Sequence, residues 1–340
     1  MTIKAYFLSL LLICSLGLGA QEENGLVKWL TFKEAQEKNK VQPRPFIIDF
    51  YTGWCGWCKH MMRTTYSNPA IAEYINSNFY PVKFDAETKD TIEYNGKIYK
   101  PLSSQPRTAH ELTLKFLGDR LSYPSTVFVT NNYEYNLLSQ GYLDEKALEP
   151  LLIFFTENVW QTSLFDEFAV NFKRTFTDTA FPKVRVPVLK PEELEAAEKK
   201  KPKKVIVLIN APFSNSGKVM SNAVLVDTSI AAYIKKNFYL VELDATRSDT
   251  IKIKGEKYFP TPVNNFPIHT LAFKFSNNRF SFPAVCLLDE QLNFIDVLNF
   301  YQPASRLKPI LYYIQGDIYK KKSFADFMQE WNAPPKKKTK

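Results

Sequence analysis

The sequence is short of the residues that staple small secreted folds or ligate metals: 340 residues contain four cysteines and three histidines. Cys14 lies in an N-terminal segment read below as a leader, which leaves Cys55, Cys58 and Cys286, too few for a disulfide framework. Structural zinc wants four thiolate or imidazole ligands. Beside Cys55 and Cys58 the chain offers only His60, His110, His269 and a distant Cys286, so no metal site is expected. Glycine is scarce too, 11 residues against 18 Tyr and 27 Phe, which argues against disorder and for well-packed sheets.

A run of bilayer length is also missing at the N-terminus. The apolar stretch Ala5 to Leu18 follows Lys4, precedes the small residues Gly19 and Ala20, and is shorter than the about 20 residues of a spanning helix. It reads as a secretory signal, residues 1–20, cleaved near Ala20. Leu12 and Ile13 stand where a lipoprotein signal would need small residues before Cys14. Export places the chain in the periplasm, or outside the cell, where disulfides persist. The net charge of +9 lies mainly in KKKPKK (199–204) and PPKKKTK (334–340), which are charge runs with no nucleic-acid-binding module around them.

The chain contains itself twice. Tyr74-Ile75 with Asn78-Phe79-Tyr80 returns as Tyr233-Ile234 with Asn237-Phe238-Tyr239, and 233 − 74 = 159. Asp85-Ala86, Asp90-Thr91-Ile92, Gly96, Pro101 and His110 keep the same spacing to Asp244-Ala245, Asp249-Thr250-Ile251, Gly255, Pro260 and His269. The register runs without a gap from 27–168 to 186–327, which predicts two domains of one fold, a linker at 169–185 and a basic tail at 328–340. Each copy opens on a helix-prone segment (Thr31 to Lys40; Pro191 to Lys201) and an apolar strand (Phe46 to Tyr51; Val205 to Asn210). Further helices and strands alternate after it, which predicts an α/β layer fold. Asn95-Gly96 marks a hairpin within the first copy.

In FIIDFYTGWCGWCKHMM (46–62) the two cysteines stand two residues apart. Haem attachment needs a histidine directly after the pair, where Lys59 stands instead. A purely structural staple closes too small a loop to constrain the unfolded chain much. Redox exchange explains the spacing better: a thiolate at Cys55 meets the free N–H groups and dipole of the helix that should start there, and Cys58 lies one turn on.

These residues resemble the thioredoxin family: an apolar strand carrying an acid (Asp49), Trp54-Cys55-Gly56-Trp57-Cys58-Lys59 at the strand-to-helix junction, and Tyr123-Pro124-Ser125 ahead of a later strand. The resemblance implies two tandem thioredoxin-like folds, each a central mixed sheet flanked by helices with an inserted hairpin, here Asp85 to His110. It implies Cys55 and Cys58 as the redox-active pair and Asp49 as proton acceptor for Cys58. It also implies that Pro124 is the family's cis-proline. Trp54, Gly56, Trp57 and Tyr123 then join Pro124 in contacting substrate. No cofactor is implied. Partners would be proteins with disulfides or thiols and a membrane thiol–disulfide electron donor; no nucleic acid is expected, and the mature chain would not span a membrane. Gly56, Trp54 and the buried-acid spacing favour the reducing direction, with isomerisation as a further option.

The second copy places Ser214, Gly217 and Leu208 where Cys55, Cys58 and Asp49 stand, and keeps Lys218, Met220 and Pro283 with Phe213 in place of Trp54. It is therefore expected to be redox-silent, either a structural partner or a substrate-binding domain of the sort found in protein disulfide isomerases. Cys286, at the place of Val127, is expected to behave as a small buried apolar residue. His110 and His269, being shared, are expected to serve the fold. The alternative for the whole chain is an envelope scaffold or chaperone-like binder in which the cysteine pair is vestigial.

Overall fold

A computed structural model describes residues 25–178, 180, 184–263 and 266–333. The expected signal segment 1–20 with Cys14, and the basic run 334–340, lie outside the described residues. The chain divides into two compact units, residues 1–156 and 157–340. This division precedes the end of the repeat register at Phe168. The helix Phe165–Phe176 belongs to the second unit, where Asn171 Nδ2 donates to Tyr301 Oη at 3.0 Å.

The first unit opens with α1 (Phe32–Val41), started by a reciprocal cap: Thr31 Oγ1 accepts from the Glu34 N–H and the Glu34 carboxylate accepts from the Thr31 N–H. Its buried face, Phe32 and Ala35, packs on the sheet. Then come β1 (Phe46–Tyr51), α2 (Gly56–Arg63), α3 (Pro69–Asn78), β2 (Tyr80–Asp85), the short strands β3 (Ile92–Tyr94) and β4 (Lys97–Tyr99), α4 (Glu111–Leu117), β5 (Ser125–Val129), β6 (Asn136–Gln140) and α5 (Glu145–Thr156). The main sheet has the order β2-β1-β5-β6, with β1 parallel to β2 and antiparallel to β5. β1 is central and covered on both faces, which is why it reads as a continuous apolar run; Asp49 alone interrupts it. The β3–β4 hairpin turns at Asn95 and Gly96, both at positive φ (49° and 72°), the type I′ geometry that Asn-Gly favours.

The second unit repeats this plan: α6 (Phe165–Phe176), β7 (Val188–Leu189), α7 (Leu194–Lys200), β8 (Lys204–Asn210), α8 (Asn215–Val219), α9 (Ala231–Asn237), β9 (Phe238–Asp244), β10 (Ile251–Ile253), β11 (Glu256–Tyr258), β12 (Pro260–Val263), β13 (Phe266–His269), α10 (Thr270–Ser276), β14 (Ala284–Leu288), β15 (Phe294–Asn299), α11 (Ala304–Gln315) and α12 (Phe324–Trp331). Its sheet order is β15-β14-β8-β9-β7. Both units thus have a thioredoxin-like α/β fold, a mixed sheet flanked by helices, each with its own apolar core.

The insertions differ. The second unit adds a β12–β13 ladder, whereas the first has only a Pro101–His110 bridge at the matching place. The physical reason is composition: Thr261, Val263, Phe266 and Ile268 favour strands, while Ser103, Ser104, Gln105 and Pro106 do not. Among the described residues no helix is long and apolar enough to cross a membrane.

Candidate active site

Cys55 is the N-cap of α2 and its Sγ accepts a hydrogen bond from the Cys58 N–H at 3.0 Å. The helix buries Cys58, Met61 and Met62 on one face, so the second cysteine is carried inward while Gly56 and Trp57 stay at the surface. Cys55 and Cys58 are joined as a disulfide, and both side chains are nearly inaccessible. The flanking indoles are not: Trp54 is 56% and Trp57 62% exposed.

Asp49 sits mid-strand on β1, fully buried, in register between Lys83 of β2 and Thr126 of β5. Burial pushes its carboxyl up to about 7, against the opposing pull of the Lys83 charge and a Tyr66 hydroxyl that donates to Oδ1 at 3.4 Å. Oδ2 has no hydrogen-bond partner among the described residues. A cleft of about 390 Å³ opens beside Cys58, lined in part by Lys59, Arg63 and Lys83.

The Tyr123–Pro124 peptide bond is cis. Tyr123 meets Trp54 edge-on at 6.0 Å between ring centroids, which joins the proline loop to the start of α2. Burial, with the Glu87 and Asp85 charges, holds the Tyr123 phenol up at about 12, so it stays a neutral donor. Trp57 packs against His60 and Tyr142, with centroids 5.5 and 5.6 Å away. Sequence reasoning passed over Tyr142, and also Glu87 and Arg107, which the insertion brings against Trp54: Trp54 Nε1 donates to Glu87 Oε1 at 3.1 Å and the Arg107 guanidinium lies 5.9 Å from the ring centroid. No spacing rule links positions so far apart along the chain.

In the second unit Ser214 caps α8 as Cys55 caps α2, its Oγ accepting from the Gly217 N–H at 3.2 Å. The Phe282–Pro283 bond is also cis, and Leu208 is fully buried where Asp49 stood. The Glu157 carboxylate accepts from the backbone N–H groups of Asn215 and Ser216, each at 2.8 Å, and from the Ser214 hydroxyl at 3.1 Å. Cys286 is buried and its thiol is pushed up to about 12 by burial, with the Asp296 charge adding to it, in line with a packing role. His110 and His269 each cap a helix, Nδ1 accepting a backbone N–H and Nε2 facing a carbonyl. Among the described residues no cluster of three or more His, Cys, Asp or Glu side chains could hold a metal.

Residues 17–149 match the family model Thioredox_DsbH, described as a protein of unknown function, DUF255. The chain is 37% identical over 73 residues to a thioredoxin of Borreliella burgdorferi, covering 21% of this chain and 61% of that protein. It is 28% identical over 74 residues to an uncharacterized protein of Caenorhabditis elegans, 22% of this chain and 10% of that one. The chain thus spans about a tenth of one of these curated relatives and 61% of the other. A solved structure titled DsbH Oxidoreductase is 19% identical, covering 34% of this chain and 72% of that one, with a TM-score of 0.24. Strand order and a cysteine pair at a helix N-terminus are those of a thioredoxin-like fold, and the similarity to the family model and to the Borreliella burgdorferi thioredoxin lies in the first unit.

Proposed function

We propose that the protein is an envelope thiol–disulfide oxidoreductase acting on protein disulfides in the reducing direction. The observation that carries this reading is the Cys55–Cys58 disulfide capping α2 in the same unit as a buried Asp49 whose carboxyl titrates near neutrality. In the reduced protein the Cys55 thiolate, stabilised by the free N–H groups at the helix start, attacks one sulfur of a substrate disulfide. The other substrate sulfur leaves as a thiolate and takes a proton. Cys58 passes its proton to the Asp49 carboxylate and attacks Cys55 Sγ, which releases the second substrate sulfur as a thiolate; that thiolate takes a proton from solvent, and Asp49 gives its own back to solvent. The substrate gains two electrons and two protons, and the pair is left as the disulfide. A membrane thiol–disulfide donor then returns two electrons to it. Trp54, Gly56, Trp57, Tyr123 and Pro124 form the surface over which substrate reaches the pair, and the second unit serves as a structural or substrate-binding domain.

The test is the reduction potential of the Cys55–Cys58 pair, set by glutathione or dithiothreitol buffers and read by thiol trapping. A value of about −270 mV agrees with a reductase, and one of about −120 mV reverses the direction. One observation favours a second reading, a scaffold or binder. The second unit keeps fold and cis-proline without the chemistry. On that reading a Cys55→Ser, Cys58→Ser double variant supports the cellular role as well as the unaltered protein does; on the redox reading it fails.

A further inference from the structure

A cleft of about 300 Å³ lies on the Trp54 side of the cysteine pair, walled by Trp54, Tyr123 and Leu121 from the plan common to both units and by Glu87 and Arg107 from the inserted segment. The two charges are used differently. Glu87 is committed to the indole, accepting from Trp54 Nε1 at 3.1 Å. Arg107 lies over the face of that ring, 5.9 Å from its centroid, and forms no ion pair or hydrogen bond among the described residues. Its backbone sits at φ 58°, a left-handed conformation that a residue with a Cβ rarely adopts and that recurs at functional sites.

The second unit offers an internal control. A cleft of about 320 Å³ occupies the same place there, and the repeat spacing turns Trp54, Arg107, Leu121 and Tyr123 into Phe213, Phe266, Phe280 and Phe282. Glu87 becomes Thr246. Phe213 packs on Phe266 and Phe282, with centroids 5.9 and 5.4 Å apart. The cleft therefore persists without a charge where the cysteine pair is lost, so the fold does not need Arg107 or Glu87 to shape it. The charges accompany the chemistry.

We propose that the inserted segment forms the substrate-selecting wall of the redox groove: Glu87 positions Trp54, and Arg107 receives a carboxylate side chain next to the reactive cysteine of a polypeptide substrate. This rests on the thiol–disulfide reading above. An exposed guanidinium–carboxylate pair is worth up to about fivefold in affinity, so the selection is a preference and not an absolute filter.

The experiment compares two disulfide peptides that differ only beside the reactive cysteine, Glu in one and Lys in the other. The ratio of their kcat/KM values should favour the Glu peptide by about fivefold, carried by KM. It should fall to about one in Arg107→Ala and invert in Arg107→Glu, while Lys97→Glu on the same inserted segment, away from the cleft, leaves it unchanged. Glu87→Ala should raise KM for both peptides, and Glu87→Gln, which keeps an acceptor for Trp54 Nε1, should restore it. An Arg107→Glu ratio equal to that of the unaltered protein overturns the proposal, as does a Lys97→Glu shift of the same size. If neither peptide is turned over, the redox reading fails instead. The same peptides with serine for cysteine, titrated against tryptophan fluorescence, then decide: binding that favours Glu and depends on Arg107 upholds the wall, and equal binding overturns it.

Discussion

Asp49 sets two demands against each other. A carboxyl whose folded value is raised contributes stability below its ordinary value of 3.8, and that stability is lost as pH climbs towards about 7. The rise amounts to roughly 4 kcal/mol at neutral pH. Asp49→Asn should therefore raise the thermal midpoint at pH 7 and leave it nearly unchanged at pH 3, as paired melts would show. The same variant should slow disulfide reduction near neutral pH and recover partly at higher pH, where Cys58 loses its proton unaided. A pH–rate profile identical to that of the unaltered protein removes Asp49 from the mechanism. Stability gained with activity lost is what a charge retained for chemistry predicts.

The two helix starts satisfy their N–H groups differently. At α2 the Cys58 N–H donates to the Cys55 sulfur; at α8 the Gly217 N–H donates to Ser214 Oγ in the same way, while the Asn215 and Ser216 N–H groups are taken by the internal Glu157 carboxylate. Glu157→Ala should destabilise the second unit by about 1–3 kcal/mol, read from its denaturant midpoint. A side chain at Gly217 meets a second obstacle, since a Cβ there would lie 1.9 Å from Asn210 Oδ1. Gly217→Ala should cost about 1–3 kcal/mol, and Asn210→Ala in the same chain should relieve it, a coupling that a double-mutant cycle measures. The histidine caps add a pH dependence. Burial lowers His110 and His269 below 6.5, so each contributes stability that is fully present above 6.5 and lost as pH falls from there through the lowered folded value. His110→Asn, which can still cap α4, should flatten the acid limb of melts followed from pH 7 to 5.

Across the whole molecule the cysteines separate by burial. In the oxidised native protein none of Cys55, Cys58 and Cys286 should react with an aromatic disulfide reagent, because Cys55 and Cys58 are paired and Cys286 is fully buried. Unfolding without reductant should release one thiol per chain if the N-terminal segment has been removed and two if Cys14 remains. Mass spectrometry of the purified protein checks the same point.

Several features were legible in the sequence because their causes are local or periodic. The repeat shows as a fixed offset of 159 residues, the central strand as an apolar run, the hairpin as Asn95-Gly96, and the cysteine pair as a spacing that suits one helical turn. The silence of the second copy follows from the identities of Ser214 and Gly217 alone. Only the tertiary structure decided what depends on distant segments meeting. It put Glu87 and Arg107 against Trp54, Tyr142 against Trp57, and Glu157 on the first turn of α8; it assigned α6 to the second unit and paired β12 with β13. These contacts join residues tens of positions apart, and no propensity or period encodes which surfaces face each other once two layers pack. The degree of burial that moves Asp49 towards neutrality is likewise set by the neighbours β2 and β5, not by the acid's own place in its strand.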